Sequence, residues 1–143
     1  MENLTTKELL RSKEEKRILT GKISGIEDEY YKLKGEKISC AIVWYGGIKV
    51  LIPCTHLGIE KINKSMIRGM LGAEIDFIVI EIDSTSNIAI ASRKDAMILR
   101  SQIEFQKLKE NDVVRVRILA VGVKHIIVEL YGKEIIIKAD NLQ

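Results

Sequence analysis

Residues 42–57, IVWYGGIKVLIPCTHL, are the most informative stretch of this sequence, because residues 127–142, IVELYGKEIIIKADNL, repeat them in outline. The offset between the copies is constant (127 − 42 = 85), and five of the sixteen aligned positions are identical. Each copy reads as a strand, a tight turn containing glycine and a second strand, which is the pattern of a β-hairpin. The preceding segments, residues 22–26 and 117–121, correspond as well. The sequence therefore predicts a β-rich module that begins twice.

The first of these modules is predicted to be a five-stranded barrel of the OB type. Strand patterns occur in order at residues 18–26, 38–45, 48–52, 73–82 and 87–91. A helical segment at residues 63–71 separates the third strand from the fourth. Five strands with a helical turn after the third are the plan of an OB-type barrel, which hides its edges by curling on itself. At the turn between the second and third strands, Gly46 and Gly47 can both take a positive φ.

Helical patterns lie on both sides of this module. Residues 5–16 predict a short charged helix with Leu9 and Leu10 as its main apolar contacts, and its polar faces indicate a solvated lead-in. Residues 92–108 have helical spacing, with Ser92 placed to cap the helix. The predicted organisation is a lead-in over 1–17, the barrel over 18–94, a linking helix over 95–110 and an incomplete second module over 111–143.

The second module has only three strand patterns, at residues 113–121, 126–131 and 134–138. Three strands cannot close into a barrel, so an open apolar edge is expected to pair with the first barrel, with another chain or with a missing C-terminal region. The pattern therefore favours a truncated module or one completed by a neighbour. A homo-oligomer formed through this module is one of the expected arrangements.

Composition limits the class of protein. The chain of 143 residues is 46% hydrophobic and 30% charged, which is typical of soluble globular proteins. Its apolar runs are far shorter than the ~20 residues of a membrane span, and its polar start lacks a secretory signal. Two cysteines do not make a disulfide framework, so we expect a cytoplasmic protein without a membrane partner. The net charge of +3 is compatible with phosphate binding but does not indicate it.

Four segments carry a resemblance to a known family: TGKISGI, AIVWYGGIKVLIP, LGAEIDFIVIEID and IAIASRKDAM. Together they make residues 18–97 similar to the S1-type RNA-binding domain, an OB-fold module of a bacterial small-subunit ribosomal protein and of many RNA-handling enzymes. Residues 109–142 resemble the first three strands of another such domain. Among S1-type proteins, those of Gram-positive prophages and mobile elements look nearest.

The resemblance implies that single-stranded RNA, or single-stranded DNA by the same chemistry, lies across the second and third strands. Aromatic rings there stack on bases and basic groups meet phosphates. This sequence departs from the family at those positions. The aromatic pair of the second strand aligns with residues 39–42, SCAI, and the histidine of the third strand aligns with Pro53.

Substitutes for the missing rings and charges are present nearby. The candidate RNA-binding residues are Lys22, Tyr31, Lys32, Trp44, Lys49, His56, Arg93 and Lys94. Trp44 either stacks on a base or covers the end of the barrel. Arg93 and Lys94 stand at the exit of the fifth strand, where the family often carries a basic residue that reaches phosphate.

The other candidates have simpler alternatives. Tyr31 and Lys32 combine a ring and a charge in the first loop, as a solvated hairpin extension would too. Lys22 and Lys49 extend the positive surface or serve solubility, and His56 is a contact or an ordinary surface residue. The acidic run at residues 27–29 borders the expected groove and would repel phosphate.

Catalysis and metal binding find little support in the sequence. His56 and His125 are the only histidines, and no nucleophile has a base at a recognised spacing. Cys40 and Cys54 lack the close-spaced partners of a structural zinc site, and no loop has a phosphate-cradling or dinucleotide pattern. The expected function is therefore non-catalytic, cofactor-free binding of single-stranded RNA, near the ribosome or on messenger RNA. The alternative is a protein-interaction scaffold that keeps the barrel without its aromatic platform.

Overall fold

The computed structural model describes residues 4–31, 36–58, 64–104, 107–121 and 125–138. The chain is mainly β, as predicted. Its elements are α1 Leu4–Glu15, β1 Leu19–Tyr31, β2 Glu36–Tyr45, β3 Ile48–Pro53, α2 Lys64–Gly69, β4 Glu74–Asp83, β5 Ile88–Ser92, α3 Arg93–Ile103, β6 Arg117–Val121, β7 His125–Leu130 and β8 Lys133–Lys138. A 3₁₀ turn, Cys54–His56, follows β3. Of the helices α1, α2 and α3, none is long and apolar enough to cross a membrane.

Strands β1 to β5 form a five-stranded mixed sheet in the order β1-β2-β3-β5-β4. The order closes on itself because β1 also pairs with β4, although only residues 19–22 and 74–77 make this contact. Strands β3 and β5 run parallel and the other neighbours antiparallel. The pairing of β1 with β2 shifts register between Ile23 and Gly25, which is a β-bulge that bends the strand. The short closure makes this a curled sheet rather than a regular barrel.

The turn between β2 and β3 is built on two glycines, as predicted. Gly46 has φ +56° and Gly47 has φ +86°, a combination that favours glycine at both positions of a two-residue hairpin turn. A Cβ at Gly46 would overlap the side chain of Thr5 in α1. The start of α1 is therefore packed against this turn.

Helix α1 is not the solvated lead-in that the sequence suggests. Leu9 and Ser12 are fully buried. The Ser12 hydroxyl accepts a hydrogen bond from the Val79 N–H at 2.9 Å and donates one to the Arg17 carbonyl at 2.7 Å. Val79 lies just beyond the part of β4 that pairs with β1. A buried N–H without a hydrogen-bond partner is costly. Helix α1 supplies that partner at the point on β4 where the pairing with β1 stops.

The last third of the chain forms a three-stranded sheet, β6-β7-β8, within the described residues. The sequence predicts these strands but places the start of the first at residue 113, whereas β6 begins at Arg117. Helix α3 also ends earlier than predicted, at Ile103. Ile103 is 49% exposed, so the apolar stripe of the helix has already left the core at that point.

A single buried cluster connects these parts of the fold. It contains the inner side chains of the five-stranded sheet, Leu9 of α1, and Leu119 and Ile127 of the three-stranded sheet. The turn between β7 and β8 lies against α3, where a Cβ at Gly132 would overlap the carbonyl oxygen of Met97. The three-stranded sheet is therefore docked on the rest of the protein through a shared core.

Candidate nucleic-acid interface

The strand pairing places Trp44 and Lys49 side by side on the outer face of the five-stranded sheet. Trp44 of β2 is the register partner of Lys49 of β3, and the next inward pair, Val43 and Val50, is fully buried. Because side chains alternate along a strand, the same outer face carries Ile42. The Trp44 face is formed by Gly25 and Glu27 of β1, Cys40, Ile42 and Trp44 of β2, and Lys49, Leu51 and Pro53 of β3.

Among the described residues of the Trp44 face, the end that carries Trp44 is open to solvent, and the end that carries Cys40 is buried. Trp44 is 58% exposed, whereas Cys40 and Leu51 are 1% and 4% exposed. Cys40 is paired with Pro53, which is also buried. Cys40 and Pro53 are among the positions that align with the rings and the histidine of the family that the sequence resembles. This part of the Trp44 face is without rings and largely buried, and the accessible ring lies at the opposite end, near the glycine turn.

Tyr45, the residue after Trp44, points to the other side of β2. Its ring packs edge-on against Phe77, with centroids 6.0 Å apart, and its hydroxyl donates a hydrogen bond to Glu8 of α1. Burial and the nearby Glu8 carboxylate raise the pKa of Tyr45 to about 12, since both disfavour the phenolate. Tyr45 anchors α1 to the sheet and leaves Trp44 as the ring that faces solvent on this strand.

Lys49 does not present a free ammonium on the Trp44 face. Its Nζ forms an ion pair with the Glu27 carboxylate, and the two side chains are 21% and 31% exposed. The second oxygen of Glu27 is buried and has no hydrogen-bond partner among the residues that the structure describes. Glu27, the first residue of the acidic run at residues 27–29, therefore neutralises Lys49 at this face. A phosphate would have to compete with Glu27 for the lysine.

The remaining candidates on or near the sheet are scattered. Lys22 is exposed on β1. Its register partner in the sheet is Glu74 of β4, so it does not lie beside β2. Tyr31 ends β1, but its side chain lies outside the described residues, as does the whole of Lys32. Lys94 is exposed at the start of α3. Lys22 and Lys94 remain accessible to an anionic ligand.

His56 has a structural contact. Its Nδ1 lies 3.2 Å from the hydroxyl of Ser92, which is fully buried. Ser92 caps α3 as predicted, since its hydroxyl accepts a hydrogen bond from the Asp95 N–H at 3.0 Å. His56 is half-buried beside this cap, which ties the 3₁₀ turn to the start of α3.

The structure corrects the expectation that Arg93 reaches phosphate. Its side chain is fully buried, and its guanidinium donates to the Leu57 carbonyl at 2.6 Å and to Glu134 and Glu129 at 2.7 Å each. Two carboxylates already neutralise this cation and solvent does not reach it. Arg93 therefore holds the three-stranded sheet against the first module instead of lining a groove.

The contact continues through a second arginine. Arg117 pairs with Asp76 at 2.9 Å, with Glu74 at 3.3 Å and with Glu129 at 3.4 Å. Asp76, which is 2% exposed, also pairs with Arg100 at 2.8 Å. Burial alone would lower the pKa of Arg117, but the surrounding carboxylates, Asp76 foremost, outweigh it and raise the pKa. Arg117 therefore links β6 to carboxylates of β4 and β7 inside the protein.

Glu129 and Glu134 are functional residues that the sequence analysis does not identify, although the internal repeat contains a signal for them. Adding the offset of 85 to Trp44 and Lys49 gives 129 and 134. The second hairpin thus carries two carboxylates at the positions where the first has its ring and its lysine. These carboxylates form the socket of Arg93.

Among the residues that the structure describes, no three His, Cys, Asp or Glu side chains converge in a way that could hold a metal ion. The two cysteines are not joined in a disulfide. No protein-family model matches this chain, and no curated protein matches it significantly.

Proposed function

We propose that this protein is a non-catalytic RNA-binding protein of the cytoplasm, whose first module is an S1-type OB-fold that holds single-stranded RNA at the open end of the Trp44 face. Single-stranded DNA is a second ligand of the same chemistry. The RNA would be ribosomal or messenger RNA. The exposure of Trp44 on a packed strand is the observation that carries the proposal, because burying this ring against a base removes apolar surface from water.

The strand arrangement supports the proposal. The order β1-β2-β3-β5-β4, the parallel pairing of β3 with β5 and the placement of α2 between β3 and β4 agree with the plan of an OB-type module. In such modules the outer face of the second and third strands is a common ligand surface. Trp44 and Lys49 lie on that face, with Ile42 beside them.

The charges around Trp44 point to weak binding. Lys49 is paired with Glu27, and Arg93 is withdrawn into the interior. A single stacked base contributes about 1–3 kcal/mol, and among the described candidate residues neither Lys49 nor Arg93 is free to add the salt-dependent phosphate term. We therefore expect weak binding with little sequence preference.

The test is a titration of fluorescein-labelled oligouridine with the whole protein, followed by anisotropy at two salt concentrations. Trp44→Ala should weaken binding by about 5- to 150-fold, the range that corresponds to 1–3 kcal/mol. Glu27→Gln should strengthen binding by roughly fivefold at low salt, because it frees Lys49 and removes about 1 kcal/mol of like-charge repulsion at ~4 Å. The gain should shrink as salt is added.

Ile98→Ala is the matched control, since Ile98 is 49% exposed but lies on α3. It should leave the affinity unchanged. Absence of binding, or equal losses for Trp44→Ala and Ile98→Ala, would rule out the Trp44 face as the RNA site.

A second candidate function, a protein-interaction scaffold, is favoured by a different observation. Large apolar side chains of the three-stranded sheet, among them Ile118, Val121 and Ile135, are between 43% and 62% exposed. Apolar side chains grouped on one face commonly mark an interaction surface.

A further inference from the structure

One face of the three-stranded sheet is made mainly of β-branched apolar side chains, and Leu130 and Lys133 complete it beside the turn between β7 and β8. The pairing registers assign to it Ile118 and Val121 of β6, Ile126 and Val128 of β7, and Ile135 and Ile137 of β8. We refer to these six residues as the apolar face. Ile118 is 59% exposed, Val121 62% and Ile135 43%, and only the central Val128 is buried. The opposite face carries Glu129 and Glu134 and docks on the first module.

The internal repeat identifies what this face corresponds to. With the offset of 85, Val128 and Ile135 are the counterparts of Val43 and Val50, and both of these are fully buried. Ile137 likewise corresponds to Ile52, also fully buried. The apolar face is thus equivalent to the inner, core-forming face of the five-stranded sheet.

In the first module, a hairpin covers the equivalent face. Strand β5 pairs in parallel with β3, and β4 pairs with β1, so that the β4–β5 hairpin joins both edges. Its inner side chains, among them Phe77, Val79 and Ala91, complete the core. Within the described residues, β6 and β8 each pair with β7 alone and have no such neighbour.

The size of the apolar face decides between two occupants. Three strands about 4.8 Å apart, one of five residues and two of six, at about 3.3 Å per residue, cover roughly 270 Å². A stable dimer interface takes about 800 Å² from each partner, so two copies packed face to face would hold together poorly. A hairpin covers the same face and also forms backbone hydrogen bonds with both sheet edges.

We infer that the apolar face is a docking site for a β-hairpin of a partner protein, which pairs with the edges of β6 and β8 and covers the face with alternating apolar side chains. This inference names the partner class for the scaffold role. It does not depend on RNA binding, because the Trp44 face lies on the other sheet.

The probe is a fluorescein-labelled peptide of residues 74–92, the β4–β5 segment that covers the equivalent face in the first module. Titration with the whole protein should raise its anisotropy and saturate. Hydrogen exchange should slow at the amides of residues 117–121 and 133–138 when the peptide is bound, because edge pairing engages the backbone. Packing on the face alone would leave these edge amides unchanged.

Neighbouring isoleucines of β8 supply a matched pair of variants. Ile135 and Ile136 are 43% and 61% exposed and lie on opposite faces of the sheet. Ile135→Lys should weaken peptide binding by about tenfold or more, because it places a charge in an apolar contact. Ile136→Lys should leave peptide binding unchanged, and circular dichroism should show both variants folded.

Four results would overturn the inference. Three of them are no saturable peptide binding, equal loss with Ile136→Lys, and unchanged exchange at the edge amides. The fourth is a dimer in sedimentation experiments that Ile135→Lys abolishes, because it would assign the apolar face to a second copy of this chain. The oligouridine titration should be the same for Ile135→Lys as for the wild type, so the two proposals fail separately.

Discussion

Replacing Arg93 by Met is expected to lower the free energy of unfolding by about 3–5 kcal/mol, the cost of leaving a buried carboxylate without its partner. The three hydrogen bonds of the guanidinium, each roughly 1.5–3 kcal/mol, would sum to more, but such terms are not additive. Glu134 is 20% exposed and can regain water. Glu129 is 4% exposed and, within the described part of the chain, keeps only the 3.4 Å contact with Arg117. Glu129 therefore accounts for most of the loss.

Urea unfolding followed by circular dichroism measures this loss, and the melting temperature should fall by roughly 10–15 °C for a chain of this size. Lys94→Met is the control, because Lys94 is the adjacent residue and is exposed. It should change stability by no more than about 0.5 kcal/mol. If the two variants are equally stable and Arg93→Met instead weakens RNA binding, Arg93 is a phosphate contact and the buried socket is refuted.

The two remaining predictions concern the packing of α1 and of the second hairpin. Tyr45→Phe should lower stability at neutral pH by about 1.5 kcal/mol, the lower end for a hydrogen bond to a charged group. The folded state holds the Tyr45 proton more tightly than the unfolded state, so this contribution is complete below pH 10 and is lost as the pH rises towards about 12. Urea titrations across this pH range should show this loss of unfolding free energy in the wild type and not in Tyr45→Phe. Gly132→Ala should destabilise more than Gly72→Ala, by about 1–3 kcal/mol in thermal melts. Both glycines have φ +85°, but only the Cβ at Gly132 would meet other atoms, those of α3, so equal losses would mean that the turn is not packed there.

Much of the fold can be predicted from the sequence because its signals are local. The pair Gly46 and Gly47 between two apolar strands specifies a tight hairpin, and the observed φ angles agree. The cap at Ser92 is equally local, since the hydroxyl and the Asp95 N–H are three residues apart. These features depend on neighbouring residues, which the sequence gives directly.

The role of α1 depends on a contact that no local pattern contains. Ser12 is a short polar residue on a charged helix, and such a residue is usually solvated. It is buried against β4, where its hydroxyl accepts a hydrogen bond from the Val79 N–H. This contact joins residues 67 positions apart, so it is a property of the tertiary structure.

The candidate site is predicted less well than the fold. Arg93 follows a strand in a basic context, and this context favours a phosphate contact. Its true partners, Glu129 and Glu134, lie 36 and 41 residues away along the chain. Single-residue reasoning does not link such distant charges. The repeat offset marks both carboxylates as departures from the first hairpin, because it places them at the positions of an aromatic ring and a lysine, but it does not identify Arg93 as their partner.

The same offset explains why the two hairpins face in opposite directions. In the first hairpin the apolar side chains pack against β4 and β5, and Trp44 is exposed to solvent. If the second hairpin instead laid its apolar side on the first module, Glu129 would face solvent and Arg93 would stay buried without a counter-charge. The cost of an unpaired buried cation exceeds the gain from covering a few isoleucine side chains. Charge therefore sets the orientation of the second sheet, which removes it as a base-stacking surface and leaves its apolar face outward.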